Sequence, residues 1–345
     1  MLVLRAHGSI RTIAPLALCA TLALAACGSG PTSTSSGGGS TGNARFNGTI
    51  NIASSTWTGY AVIYLANSRG TWKAHNLDVS FTDVEDPVQR LQALNAGQLQ
   101  GMASTVDAFA RAQAQGVPAV DVFPIDASVG GDGILAKNSI QSIKDVKGKT
   151  VAVNQGSVSE WFLAQVLLRN GMSLKDVTEE NMTSGQAGAA FVAGRVDVAV
   201  TWEPWLTRAS KTAFGRVLVS SKQYPDLIMD AFAFRRDFVQ KYPGTVKDFI
   251  KAYYDAYTWM TQNQDQANQL IGAAVKESAS DVQGDLGTMT IYSLAQSKVI
   301  MGTNDHPGKI FSNAKAAGDF WKQQGQVSST VDPKQAVDAS FLASM

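Results

Sequence analysis

From residue 46 onward, short apolar runs alternate with segments of helical period, and this alternation limits the possible folds more than any other feature of the chain. Residues 50–53, 77–81 and 151–154 have the pattern of short buried strands, and Pro87 opens a helical segment over residues 88–95. Strands that alternate with helices are typical of α/β proteins with mainly parallel sheets. The sequence therefore predicts an α/β fold.

The second half of this pattern repeats the first. Residues 96–105 align with residues 193–202, and both stretches hold a helix end, a glycine, a strand and a polar turn. A chain of 345 residues also exceeds the roughly 250–300 residues at which a single core stops growing. Two lobes built on one plan explain the repeat, and chance similarity between two strand–helix units is the alternative.

Two passages are candidates for the connections between such lobes. Residues 126–133 are rich in glycine and follow a predicted strand at 119–124, which suits a segment that bends. A plain surface turn is the alternative interpretation. Residues 225–232 are the best candidate for the return. These positions predict one lobe formed by residues 46–127 and 229–345, and another formed by residues 128–228.

The N-terminus has the pattern of a targeting signal. Arg5 and Arg11 precede an uncharged stretch over residues 12–26, which is shorter than the roughly 20 residues needed to span a bilayer. Residues 24–27, Leu-Ala-Ala-Cys, resemble the bacterial lipobox, in which the cysteine becomes the lipidated first residue. We therefore expect residues 1–26 to be a lipoprotein signal peptide and Cys27 to carry lipid. An ordinary secretory signal with an incidental cysteine is the alternative.

A segment dominated by glycine, serine and threonine follows the cysteine. Such a composition buries almost no apolar surface, so residues 27–45 are predicted to be a lipidated cysteine and a flexible linker. We expect the protein to lie outside the cytoplasm, held to the cell membrane by its lipid anchor alone.

Composition excludes several classes of function. The 29 Lys and Arg residues nearly balance the 28 Asp and Glu residues, so a nucleic-acid partner is not expected. Only three histidines occur, and both cysteines lie near the N-terminus, so we expect no metal site and no cofactor. Residues 147–150 resemble the end of a phosphate loop, but Ile143 stands where that loop needs glycine. His75 and His306 are expected to be solvated, and no catalytic residues are predicted.

The distinctive polar and aromatic residues gather instead at predicted strand ends and in the first connection. In open parallel sheets, ligands bind at the carboxyl ends of strands. Two facing lobes would bring these ends to one cleft, which predicts a binding site. The candidate ligand-binding residues are Ser55, Trp57, Tyr60, Ser104, Thr105, Asp107, Asp132, Gln155, Ser157, Trp202 and Glu203.

Four stretches in order along the chain resemble one known family. They are the lipobox at Cys27, residues 57–60 (Trp-Thr-Gly-Tyr), residues 126–134, and residues 196–205, which contain Thr-Trp-Glu-Pro-Trp. The chain resembles the solute-binding proteins of bacterial ABC importers of the nitrate/sulfonate/taurine (NitT/TauT) group. The resemblance implies a two-lobed periplasmic-binding-protein fold of type II, with two crossovers and a ligand cleft between the lobes. It also implies a monomer that delivers a trapped solute to a permease and its ATPase.

The residues leave the charge of the solute open. The family's solutes are sulfonates, taurine and nitrate, yet the predicted turns contain no lysine or arginine. They hold Asp107, Asp132 and Glu203 beside Trp57 and Trp202, and carboxylates and aromatic faces both attract cations. A guanidinium, an amine or a pyrimidine is therefore the alternative solute. Glu203 as a helix cap and Asp107 as a first-turn residue are the local alternatives.

Two other functions remain possible on the same fold. Some relatives make a pyrimidine precursor of thiamin with a cysteine-rich segment and a histidine, but this chain has no cysteine after Cys27. A ligand-sensing subunit of a membrane receptor would use the same cleft.

Overall fold

The computed structural model describes residues 43–345, so the predicted signal peptide, Cys27 and most of the predicted linker lie outside the described residues. The strands are β1 (Ile50–Ser54), β2 (Val79–Asp83), β3 (Gly101–Thr105), β4 (Ala119–Ser128), β5 (Asp132–Lys137), β6 (Thr150–Val153), β7 (Thr178–Asn181), β8 (Val198–Trp202), β9 (Gly215–Ser220), β10 (Met229–Arg235) and β11 (Met289–Ile291). The α-helices are α1 (Ala61–Ser68), α2 (Thr71–Ala74), α3 (Pro87–Asn95), α4 (Val106–Ala114), α5 (Val158–Arg169), α6 (Ser184–Val192), α7 (Trp205–Ser210), α8 (Arg236–Lys241), α9 (Pro243–Gln262), α10 (Gln264–Val275), α11 (Ala279–Leu286), α12 (Leu294–Met301), α13 (Lys309–Gln323), α14 (Pro333–Ala336) and α15 (Ser340–Ala343). Short 3-10 turns occur at Thr58–Tyr60, Ile143–Val146, Leu174–Asp176 and Ser221–Gln223.

The strands form two sheets with the same internal plan. The first sheet has the order β2-β1-β3-β10-β4-β11, and the second has the order β7-β6-β8-β5-β9. In the first sheet β1 pairs in parallel with β2 and β3, and in the second β6 pairs in parallel with β7 and β8. This arrangement confirms the predicted α/β fold.

Both sheets contain antiparallel strands. β10 pairs antiparallel with β3 and β4 in the first sheet, where β11 also pairs antiparallel with β4, and β5 pairs antiparallel with β8 and β9 in the second. The expectation of mainly parallel strands missed β10 and β5, because a buried antiparallel strand has the same apolar pattern as its parallel neighbours.

The repeat in the sequence occupies equivalent places in the two sheets. Gly97 follows α3 and precedes β3, and Gly194 follows α6 and precedes β8. Both glycines have positive φ angles, of 78° and 73°. A residue with a Cβ atom rarely adopts this conformation, so glycine is the natural helix terminator at both sites.

The chain crosses between the sheets twice. β4 runs to Ser128 and β5 begins at Asp132, so only residues 129–131 form the first crossing. The second crossing is formed by residues 221–228. The predicted connections at 126–133 and 225–232 therefore include strand residues. Asp126 and Ala127 pair with β10 and β11, and residues 229–232 lie in the middle of the first sheet.

Aromatic packing forms the core of the first half. Phe123 of β4 stacks on Phe232 of β10 at 5.6 Å between ring centroids, and Trp72 stacks on Phe249 of α9 at 4.5 Å. The apolar face of α9 thus packs against the sheet and against α2. Among residues 43–345, no helix has the length and apolar composition that crossing a bilayer requires.

The two crossings are joined by hydrogen bonds from one serine. The Ser221 hydroxyl, which is fully buried, lies 2.7 Å from the Ser128 hydroxyl and accepts hydrogen bonds from the backbone N–H of Gly130 at 2.7 Å and of Asp132 at 3.4 Å. A hydroxyl both donates and accepts, so this single group satisfies polar atoms of both crossings.

The change Ser221→Ala should lower the free energy of unfolding by about 1–3 kcal/mol, because it removes the acceptor of the half-buried Gly130 N–H and the hydroxyl partner of the buried Ser128. Denaturant unfolding followed by circular dichroism measures the loss. The control is Ser139→Ala, at an exposed turn residue, which should stay within about 0.5 kcal/mol of the unchanged protein. Equal stability of both variants would contradict a structural role for Ser221.

Candidate functional site

A cavity of about 30 Å³ lies between the two sheets. The first sheet contributes the ends of β1 and β3 and residues of β10, and the second sheet contributes the start of β5 and the end of β8. The cavity therefore lies where parallel-sheet proteins bind ligands. Its lining residues are Ser55, Trp57, Tyr60, Pro87, Arg90, Ser104, Thr105, Asp132, Val158, Trp202, Ile228 and Asp230.

Strand register explains why acidic residues meet at this place. Asp230 of β10 is paired with Thr105 of β3 on one side and with Asp126 of β4 on the other. In the second sheet, Asp132 of β5 is paired with Trp202 of β8. The two antiparallel strands thus each bring one carboxyl group to the cavity.

Trp57 is fixed by two glycines and one of these carboxyl groups. Its indole Nε1 donates to both carboxyl oxygens of Asp126, each at 3.3 Å. A Cβ atom added at Gly59 would lie 2.1 Å from the indole Nε1, and one added at Gly131 would lie 2.5 Å from the ring atom Cη2. Because real Cβ atoms do not approach so closely, both glycines are required for this position of the ring.

A buried arginine and a tyrosine complete the wall on the side of the first sheet. The Tyr60 hydroxyl donates to Asp230 Oδ1. Arg90 lies on α3, and its Nη1 donates to the backbone oxygens of Val84 and Glu85, the latter at 3.1 Å. Burial lowers the pKa of the Arg90 guanidinium, while the nearby Tyr60, Glu85 and Asp230 act in the opposite direction.

Burial also changes the ionisation of the acidic residues. It raises the pKa of Asp132 to about 8 and that of Asp230 to about 7, since a charged carboxylate is poorly solvated there. The pKa of Asp126 is raised well above its usual range, first by burial and then by the neighbouring Asp230. The pKa values of Asp132 and Asp230 thus lie close to neutral pH.

The structure brings together seven of the eleven residues predicted from the sequence. The turn after β1, the carboxyl ends of β3 and β8, and the start of β5 all contribute residues to this cavity. These seven are Ser55, Trp57, Tyr60, Ser104, Thr105, Asp132 and Trp202.

Two of the other four predicted residues cap helices. Both carboxyl oxygens of Glu203 accept hydrogen bonds from Thr207, one from its N–H at 2.9 Å and one from its hydroxyl at 3.1 Å, at the start of α7. The Ser157 hydroxyl accepts from the N–H of Ser159 at 3.1 Å at the start of α5. Neither residue lines the cavity. The contacts of Glu203 are those of a helix cap, which was the alternative interpretation of this residue.

The remaining two predicted residues also lie away from the cavity. Gln155 is exposed, and its backbone N–H donates to Asn181 Oδ1 at 3.0 Å. Asp107 is buried in the first turn of α4, where its backbone oxygen accepts from the indole of Trp321 at 3.3 Å. Burial raises the pKa of Asp107 to about 7.

Sequence reasoning missed Arg90 and Asp230. A signal for Arg90 exists, because Pro87, Arg90 and Leu94 share one face of α3 by their spacing and all three are buried. A signal for Asp230 also exists, since it is a single acid inside the apolar run of residues 227–234. The predicted turns do lack a basic residue, but Arg90 of α3 lines the cavity, so the site is not purely acidic.

The two histidines of the described chain lie outside the cavity. His75 Nε2 contacts Asp255 Oδ2 at 2.7 Å, so it is paired rather than freely solvated as predicted, and His306 is exposed. Within residues 43–345, no group of three or more His, Cys, Asp or Glu side chains is arranged to hold a metal ion.

The change Asp132→Asn should make the solute-free protein more stable at about pH 8 than the unchanged chain. The raised pKa of Asp132 means that the stability supplied by its protonated form is complete below about pH 4 and is lost as the pH rises to about 8. Asparagine carries no charge at any pH, so the difference in melting temperature between the variant and the unchanged protein should narrow toward about pH 5. Thermal unfolding across this range measures it.

The matched control is Asp305→Asn, at an exposed aspartate, which should show no pH-dependent gap. A gap for Asp132→Asn that is equal at both ends of the pH range would contradict the raised pKa.

Comparison with known proteins places the chain in a family. It is 26% identical over 293 residues to a binding protein of Brucella abortus (strain 2308), covering 82% of this chain and 88% of that protein. It is 26% identical over 265 residues to the taurine-binding periplasmic protein of Escherichia coli (strain K12), covering 73% and 80%. The alkanesulfonate-binding protein SsuA from Xanthomonas axonopodis pv. citri, solved with MOPS bound, superposes with a TM-score of 0.72 at 18% identity, covering 86% of this chain and 100% of that one.

The superposition shows that the chain has the fold of a periplasmic binding protein, as the sequence predicted. The family model described as NMT1/THI5 like matches residues 57–267, which is more than half of the chain. The resemblance drawn from the sequence is confirmed, and the chain belongs to the NMT1/THI5-like family of proteins.

Proposed function

We propose that the protein is an extracytoplasmic solute-binding lipoprotein of an ABC importer, which captures a small polar solute and delivers it to a permease and its ATPase. The observation that carries this proposal is the cavity between the two sheets, lined by residues of both and placed beside both crossings. A cavity so placed opens and closes when the sheets rotate about the crossings.

The names of the relatives support the same function. Taurine and alkanesulfonates are what two of them bind, so sulfonates, taurine and nitrate are the first solutes to consider. Catalysis is the less supported alternative, because no cysteine or histidine lines the cavity. A sensor subunit would use the same cavity, and a histidine kinase gene beside this one would favour it over genes for a permease and an ATPase.

Closure requires two lobes that move as units. We propose the boundaries expected from the sequence, with one lobe formed by residues 46–127 and 229–345 and the other by residues 128–228. Contacts between them support a closed arrangement: Trp161 of α5 packs on Phe320 of α13 at 4.9 Å, and Arg208 lies 3.6 Å from Glu277. These contacts would separate when the solute leaves. A monomer suffices for this mechanism, since one chain supplies the whole cavity.

A solute taken from the native cell should close the protein. Full-length protein is isolated from its own bacterium and unfolded, and the small molecules released are identified by mass spectrometry. Adding them back to the emptied, refolded protein should reduce the radius of gyration measured by X-ray scattering and raise the melting temperature. Release of no compound that does this would contradict the proposed function.

The anchor is tested at the two cysteines. Cys27→Ser should abolish incorporation of labelled palmitate and move the protein from the membrane fraction to the soluble fraction, because no acyl chain then holds it. Cys19→Ser is the matched control and should change neither result. Equal labelling of both variants would overturn the assignment of Cys27.

A further inference from the structure

We infer that the solute of this cavity is a small cation that carries N–H donors, of the guanidinium, amidine or amine class, and not an inorganic anion or a sulfonate. This inference rests on the proposed function, since it names the chemical class of the solute held at the same site. It depends on which charged groups reach the cavity, on the size of the cavity and on its aromatic wall.

Acidic groups outnumber basic ones around the cavity. Asp132 and Asp230 line it, and Asp126 lies next to Asp230 in the sheet and behind the indole of Trp57. Arg90 is the one basic residue among the lining residues. Asp107 on α4 and Glu203 before α7 are the next ionisable groups that influence Asp132, and both are acidic. Once ionised, these carboxyl groups favour positive charge in the cavity.

Only part of Arg90 can serve an anion. Its Nη1 is already used by the backbone oxygens of Val84 and Glu85. Its Nε has no hydrogen-bond partner within residues 43–345, but this atom is sealed from solvent. Nη2 is therefore the one nitrogen of Arg90 left for a solute, and the carboxyl groups of Asp132 and Asp230 line the same cavity.

Asp132 is the opposite case. It is 4% exposed and lines the cavity. Its backbone N–H donates to the hydroxyls of Ser128 and Ser221, and the Ser128 hydroxyl is the one side-chain donor that acts on its carboxyl group within the described residues. A buried carboxyl group with so few donors is costly, and a solute with N–H groups would offset this cost.

Size and wall chemistry agree with a small cation. A cavity of about 30 Å³ favours a small solute, so guanidinium, methylammonium and nitrate are suitable probes. Trp57, Tyr60 and Trp202 supply aromatic walls, which attract cations. The hydroxyls of Ser55, Ser104 and Thr105 do not decide the charge, because hydroxyls serve both kinds of ligand.

Calorimetry with ligands of matched size and opposite charge tests the inference on the full-length chain emptied of solute. Guanidinium chloride and methylammonium chloride are compared with sodium nitrate, sodium methanesulfonate and taurine, all at millimolar concentration and equal ionic strength. The two cations should bind and raise the melting temperature, and the other probes should not.

The direction of the pH dependence gives a second readout. A cation requires Asp132 and Asp230 to be ionised, so its binding should tighten between about pH 6 and pH 8.5 and release protons, as titrations in two buffers of different ionisation enthalpy would show. Tyr60, Arg90, Asp107, Asp126 and Glu203 also face these two groups. Binding that takes up protons and weakens with rising pH would overturn the inference.

Variants locate the binding. Asp132→Asn and Asp230→Asn should each weaken guanidinium or methylammonium binding by about 30-fold or more, and the exposed Asp305→Asn should leave it unchanged. Binding of the anions alone would overturn the inference of a cationic solute and leave the proposed function intact. Binding of none of the probes would also overturn this inference. The proposed function would then be tested separately by the solute released from native protein.

Discussion

In each sheet, a strand that directly follows a crossing lies between two other strands. β10, after the second crossing, separates β3 from β4, and β5, after the first crossing, separates β8 from β9. The cavity lies where these two strands and the two crossings meet, and the two strands carry Asp230 and Asp132. The site is therefore a product of the topology, because neither sheet contains both carboxyl groups.

Burial of so many carboxyl groups costs stability that other contacts only partly offset. Tyr60 donates to Asp230 and the indole of Trp57 donates to Asp126, but the carboxyl of Asp132 has only the Ser128 hydroxyl within the described part of the chain. A binding protein gains from this arrangement, because a solute that supplies the missing hydrogen bonds stabilises the protein when it binds. The buried carboxyl groups that lower the stability of the empty protein are then the same groups that give it affinity for the solute.

The sequence predicted the α/β class, the doubled plan and most of the cavity. Ser55, Ser104 and Trp202 were found because they directly follow or end apolar strands, where ligands of such folds bind. Arg90 and Asp230 were missed because their roles depend on packing between elements distant in the chain. Glu203 was placed at the ligand by its neighbours in sequence, although its carboxyl is occupied by Thr207 within the same turn. Short-range hydrogen bonds of this kind compete with ligand binding for the same oxygen atoms.

The late position of β10 and β11 in the chain also orders the assembly of the two sheets. All five strands of the second sheet lie within residues 132–220, whereas the first sheet needs β10 and β11, from beyond residue 228. Contacts between residues far apart in the chain form slowly, since a long loop must close first. During synthesis or export, the second sheet can therefore form while the first still exposes the edge of β3, and the cavity is the last part of the molecule to acquire its walls.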